Sequence, residues 1–219
     1  MRIAGVDEAG RGPVLGPMVV ACVVASRDKI EFMEVAGVKD SKALTKRQRT
    51  RLARIIAENA DEILVRVIST QEIDAAVEGI SYRNLNYLEA GIAAEILNCL
   101  KTPVEIVYID SPDPNPQRYA KLVQEKISKR FKIIAENDAD KKYPIVAAAS
   151  IIAKVERDKL IEELAKKYGN LGSGYPGDWR TISFLRKWIR DKGEPPPFAR
   201  KSWKTVKKII DEYRTRRII

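Results

Sequence analysis

The chain has 219 residues, 45% of them hydrophobic, and 40 Lys and Arg against 30 Asp and Glu leave a net charge of +10, so it can bury one sizeable core and suits a polyanionic partner. It contains no histidine, which removes Ser-His-Asp hydrolysis, His-Glu-x-x-His zinc chemistry and any imidazole general base. No apolar run approaches the roughly 18 residues of a membrane span and the first residues read as a strand rather than a leader, so a soluble, cytoplasmic chain that meets no membrane is expected.

An apolar strand from Met1 to Val6 runs into the adjacent carboxylates Asp7 and Glu8 and then into Gly10-Arg11-Gly12. A second apolar run, Met18 to Ala25, follows the Gly and Pro punctuation of residues 10–17, so the two read as neighbouring strands with the acids near a strand end. Gly10, Gly12 and Gly16 are not a dinucleotide fingerprint, because the spacing is Gly-x-Gly-x-x-x-Gly and a strand follows where a helix is needed. Thr45 with Gln48 three residues on marks a capping box and a helix to about Asn59, and Glu62 to Ile68 reads as a β-branched strand. Thr70 opens a short helix carrying Glu72 and Asp74, and Ser81 opens a long amphipathic one to about Lys101.

Val104 to Asp110 is a strand that ends on an acid, since Pro112, Pro114 and Pro116 forbid its continuation. A helix from about Gln117 to Lys129 precedes a short strand, Phe131 to Ala135, after which Asp138 and Asp140 stand before the Ala-rich segment Ile145 to Lys167. Small residues there let a helix lie close on a sheet. The order is α/β. Cys22 and Cys99 lack metal-ligand spacing and are expected to pack as small apolar residues, with neither zinc nor a disulfide.

From Arg180 to Ile219 there are thirteen basic residues and four acids, a net of +9, interleaved with Trp188, Phe198 and Trp203 and preceded by Trp179. A docked helical cap that meets phosphates is expected. Carboxylates at the ends of different strands of an open α/β sheet converge. Two such charges about 4 Å apart repel by roughly 4 kcal/mol at an effective dielectric near 20. Either some are protonated or divalent cations sit among them. Mg²⁺ takes a few carboxylate oxygens plus waters and phosphate oxygens, and two such ions support hydrolysis at phosphorus with no histidine.

These residues match a family pattern. Asp7-Glu8-Ala9-Gly10-Arg11-Gly12-Pro13, Lys39-Asp40-Ser41-Lys42, Tyr108-Ile109-Asp110, Asp140-Lys141-Lys142-Tyr143-Pro144, Ala147 to Lys154, and Gly174-Tyr175-Pro176 together closely resemble ribonuclease HII, with a wording similar to archaeal members. The resemblance implies a ribonuclease H-like mixed sheet flanked by helices, here as a catalytic core of residues 1–177 with a basic helical segment, 178–219, packed on it. It implies hydrolysis of the RNA strand of RNA–DNA hybrids and incision 5′ of ribonucleotides embedded in DNA by two metal ions, leaving 5′-phosphate and 3′-hydroxyl ends. The cofactor implied is Mg²⁺ or Mn²⁺. The implied metal-binding and catalytic acids are Asp7, Glu8, Asp110 and Asp140, the last chosen over Asp138 because it precedes a proline by four positions. The Gly10-Arg11-Gly12 turn matches the segment that senses the 2′-hydroxyl, a role that suits glycines because they let the backbone approach closely. Tyr175 matches the aromatic that stacks at the junction, and Lys42 and Arg200 match basic positions near the substrate backbone. A monomer is expected. A sliding clamp is a possible partner, although Arg214 to Ile219 show no clear clamp-binding pattern. A non-catalytic module would keep the basic surface and lose the carboxylates, but all four are present.

Overall fold

A computed structural model describes residues 1–39 and 44–216, with the side chain of Arg216 excepted. In chain order the elements are β1 (Arg2–Ala9), β2 (Met18–Ser26), α1 (Arg27–Val35), α2 (Lys46–Asn59), β3 (Glu62–Ile68), α3 (Thr70–Val77), α4 (Leu85–Cys99), β4 (Ile106–Asp110), α5 (Pro116–Gln124), β5 (Lys132–Glu136), α6 (Ala139–Lys142), α7 (Pro144–Tyr168), α8 (Trp179–Lys192) and α9 (Lys204–Arg216). The strands form one mixed sheet in the order β3-β2-β1-β4-β5. β1 runs antiparallel to β2 and parallel to β4, which is parallel to β5.

Packing divides the chain into two units. The first comprises Met1–Ala9, Val19–Val67 and Asn86–Glu156, and holds most of the sheet. Its core joins Ile3, Val23 and Ala25 of the strands to Met33 of α1, Ile56 of α2 and the small-residue run Ile145 to Ala149 of α7. Gly5 shows how closely that run approaches the sheet. A Cβ there would lie 2.3 Å from the Ile145 carbonyl oxygen, so β1 and the first turn of α7 touch backbone to backbone. The second unit comprises Gly10–Met18, Ile68–Leu85 and Arg157–Ile219. Its core gathers Val14 and Leu15 with Leu185 and Ile189 of α8 and Val206 and Ile209 of α9.

Several local readings hold. β3 has the expected bounds, and α2 begins at a true capping box in which the Thr45 hydroxyl accepts from Gln48 N–H and Gln48 accepts from Thr45 N–H. Others shift. β1 continues through both acids to Ala9 because β2 pairs with it as far as Ala9↔Val19. α3 is capped by Ser69, whose box with Glu72 precedes the expected start by one residue. α4 starts at Leu85 rather than near Ser81, and α5 stops at Gln124. α1 follows β2 directly with no side-chain cap, so no starting signal marks it. Cys22 is buried as expected, whereas Cys99 is exposed, at the last residue of α4.

Candidate active site

Two groups of expected site residues take shape, one in each unit. In the first, the register of the sheet decides the geometry. β1 and β4 pair as Ile3↔Ile106 through Val6↔Ile109, and one further step along both parallel strands sets Asp7 beside Asp110. Adjacent strands lie about 4.8 Å apart, so two acids far apart in the chain become neighbours at the carboxyl ends of central strands. Glu8 follows Asp7 in β1, where it pairs with Val20 of β2. It is half-buried, while Asp7 is 4% exposed.

The Asp7 carboxyl is pushed up to about 7, first by burial and then by the nearby charge of Asp110. Three groups oppose that rise: the Lys154 ammonium, the Ser150 hydroxyl and the Glu8 N–H. The N–H of Glu8 donates to Asp7 Oδ1 at 2.7 Å, and Lys154 Nζ donates to Ser150 Oγ at 2.5 Å. Ser150 and Lys154 lie one turn apart on α7 and so share a face. Both fall inside the motif Ala147 to Lys154, yet neither was singled out from sequence; their four-residue spacing was the available signal.

Asp110 Oδ1 accepts the Ala139 N–H at 2.7 Å, which ties the end of β4 to the start of α6. The next residue, Asp140, is 1% exposed. Asp138 differs in every respect. It caps α6 in the left-handed conformation at φ 55, its side chain is about half exposed, and it pairs with Lys141 at 2.9 Å. A third acid after β4, Asp113, is also buried but is committed elsewhere, accepting from Asn86, the Asn115 N–H and the Nε and Nη2 of Arg118. Burial raises its pKa, but those donors outweigh burial and hold it below the usual carboxylate range. It closes the proline loop as a structural residue.

The donors available for a metal are carboxylate oxygens, which suit Mg²⁺ or Mn²⁺ and not a soft ion. Cys22 offers no alternative, since burial pushes its thiol far above the ordinary range. Among the described residues no three Asp, Glu or Cys side chains are already gathered into a metal cage. The fit is therefore one of chemistry and strand register, with Asp7 and Asp110 as its centre.

The second group surrounds Gly10-Arg11-Gly12. Gly10 is buried at φ +86, and a Cβ would sit 2.3 Å from Arg157 Nε, so only glycine fits. Gly12 is exposed, and a Cβ there would meet only the Tyr175 ring, at 3.8 Å. Tyr175 is 44% exposed. Its loop is tied to the turn by the Gly174 carbonyl, which accepts from Val14 N–H at 2.8 Å and Leu15 N–H at 3.2 Å. The Arg157 guanidinium packs 5.4 Å from the Tyr175 ring centre and donates to the Pro17 carbonyl. Arg157 was also missed from sequence, where one cation in a charged helix stands out from nothing.

Arg200 is placed differently from the expectation of a cation beside the substrate backbone. Its side chain is fully buried, and its guanidinium donates to the carbonyls of Gly10, Arg11 and Gly16. Lys42, Asp40 and Ser41 lie outside the described residues, as do positions 217–219. The aromatics of the basic segment mostly build core: Phe184, Trp188 and Phe198 pack with one another and with Tyr168 of α7, with ring centres 4.8 to 6.1 Å apart. Trp179 is the exposed one, at 75%. Lys204, Lys207 and Lys208 lie exposed on α9. No helix among the described residues is long and apolar enough to cross a membrane.

Comparison with known proteins identifies the family. The family model described as Ribonuclease HII matches residues 4–206. A ribonuclease HII of Thermofilum pendens is 51% identical over 95% of this chain and 99% of its own length, and one of Thermococcus sibiricus is 48% identical over 97% and 92%. The crystal structure of the ribonuclease H2 from Pyrococcus horikoshii superposes with a TM-score of 0.91 at 43% identity, covering 98% of this chain and 99% of that one. The ribonuclease HII in the PCNA complex from Archaeoglobus fulgidus superposes with a TM-score of 0.82 at 40% identity, covering 94% and 96%. The chain belongs to the ribonuclease HII family and is a ribonuclease H, a hydrolase that cleaves the RNA strand of RNA–DNA hybrids.

Proposed function

We propose that this ribonuclease H also incises DNA 5′ of an embedded ribonucleotide, leaving a 3′-hydroxyl and a 5′-phosphate, with Asp7, Glu8, Asp110 and Asp140 as the acids that hold two divalent cations, Mg²⁺ or Mn²⁺. The observation that carries the reading is the Asp7–Asp110 pair, two carboxylates that sheet register places side by side and that burial and mutual repulsion make costly to ionise together. Divalent cations bound there would neutralise that repulsion, activate water and offset charge on the leaving oxygen. The burial of Asp140, against the exposed Asp138–Lys141 pair, supports Asp140 as the fourth acid. Lys154 and Ser150 steady Asp7 as a carboxylate and orient it.

On this reading the exposed Gly12 backbone and the half-exposed Tyr175 meet the sugar and base of the ribonucleotide junction, since a 2′-hydroxyl is what distinguishes RNA from DNA. The helical segment 178–219, with Lys204, Lys207 and Lys208 outward, supplies sequence-independent phosphate contacts. A sliding clamp is carried as a partner on the likeness to the Archaeoglobus fulgidus protein, whose solved structure is a PCNA complex. The test is a duplex with one ribonucleotide, incubated with and without Mg²⁺, with the cut mapped. A single cation-dependent cut 5′ of the ribonucleotide is expected; a cut on its 3′ side, or cleavage in excess chelator, refutes the reading. In the same assay Asp140→Asn is expected to lose most turnover and Asp138→Asn little.

A further inference from the structure

Arg200 is among the largest fully buried side chains of the protein, and everything its guanidinium donates to in the turn is backbone. Nη2 donates to the Gly10 carbonyl, Nη1 to the Arg11 carbonyl at 2.8 Å, and Nε to the Gly16 carbonyl at 3.1 Å. Its own main chain is fixed in the same place. Arg200 N–H donates to the Val14 carbonyl and Gly16 N–H to the Phe198 carbonyl, both at 2.9 Å, around the antiparallel bridge Leu15↔Ala199. The Trp203 ring covers the guanidinium at 5.0 Å.

A trans peptide is planar, with its C=O and the following N–H on opposite sides. Pinning the Gly10 carbonyl to Arg200 therefore turns the Arg11 N–H away from it, and pinning the Arg11 carbonyl does the same for the Gly12 N–H. A glycine-flanked turn has little intrinsic preference between this arrangement and one with a plane flipped. A planar fork with five donors can hold three carbonyls at once, whereas a lysine ammonium presents a compact point charge that cannot span them.

We propose that Arg200 is a positioning residue that sets the direction of the Arg11 and Gly12 N–H groups, and through them the enzyme's discrimination between ribose and deoxyribose. The inference rests on the reading that this turn senses the 2′-hydroxyl. It assigns Arg200 no phosphate and no direct substrate contact.

The experiment compares two duplexes identical except for one 2′-hydroxyl, with equilibrium binding measured by fluorescence anisotropy in chelator for the full-length wild type, Arg200→Lys and Arg200→Met. The wild type is expected to prefer the ribonucleotide duplex, and Arg200→Met to lose that preference about fivefold or more, the worth of roughly one hydrogen bond. Arg200→Lys should lose it nearly as fully despite keeping the charge, while affinity for the all-DNA duplex stays the same in all three. A folded variant that keeps the preference, or one that loses affinity equally for both duplexes, overturns the proposal. A wild type with no preference instead overturns the reading of the turn. Should neither variant fold by circular dichroism, NMR of the wild type decides. Slowly exchanging Arg200 Nη protons, with Arg11 and Gly12 amide shifts on adding the ribonucleotide duplex but not the all-DNA one, support the proposal, and a freely rotating guanidinium refutes it.

Discussion

Replacing Asp7 by Asn is expected to stabilise the metal-free protein at neutral pH while abolishing most cleavage. The folded Asp7 carboxyl is raised from 3.8 to about 7, by burial foremost and by Asp110 second. The unfolded chain ionises this group from about pH 4 upward, whereas the folded chain holds the proton until about pH 7. Folding therefore loses stability as pH rises through that window, and the loss is complete above it. About three pK units correspond to at most about 4 kcal/mol. Asparagine has no such ionisation and escapes the loss, although its amide replaces the carboxyl among Ser150, Lys154 and the Glu8 N–H and returns part of the gain. The assay is urea unfolding in chelator at about pH 4, 5.5 and 8. The variant's advantage should be near zero or negative at the lowest pH and grow by about 1–4 kcal/mol towards the highest. Adding Mg²⁺ at the highest pH should stabilise the wild type more than the variant, because binding to the native state alone adds to its stability. A difference between the two proteins that does not change with pH would refute the electrostatic reasoning, whatever happens to activity.

Gly10→Ala and Gly12→Ala should separate fold from function: the first, at φ +86 against Arg157, should cost about 1–3 kcal/mol in thermal or urea unfolding, and the second should leave stability within about 1 kcal/mol while lowering incision at a lone ribonucleotide, measured as kcat/KM. Gly5→Ala, whose Cβ would overlap the Ile145 carbonyl, should lower stability by about 2 kcal/mol or more, with soluble yield and midpoint of unfolding as the readout. Tyr175→Ala should reduce incision at a single ribonucleotide more than cleavage within a long RNA strand, by the roughly 1–3 kcal/mol that stacking contributes; equal losses on both substrates count against a junction role. Neutralising Lys204, Lys207 and Lys208 should weaken binding alike for every sequence and flatten the log–log salt slope by about 0.9 for each lost phosphate contact, with saturated turnover changed far less; an unchanged slope would mean that these lysines face only solvent.

Local physics was legible in the linear chain. The capping box at Thr45, the β-branched run Glu62 to Ile68, the proline block after Asp110 and the small residues of α7 each act through neighbours a few positions away, so they read the same before and after folding. Family wording carried the rest of the candidate list, but not the roles that depend on what lies on the other side of a side chain. Sequence marks Asp110 as the last residue of a strand and leaves Asp113 among the prolines, but only the register with β1 places the first beside Asp7, and only Asn86 and Arg118 commit the second to the loop. Arg200 and Lys204 are both cations of one basic segment, yet the bridge Leu15↔Ala199 turns the first inward under a backbone turn nearly two hundred residues earlier in the chain and leaves the second exposed. Burial and charge proximity are properties of pairs distant in sequence, and strand register and helix docking, which no local pattern encodes, bring those pairs together.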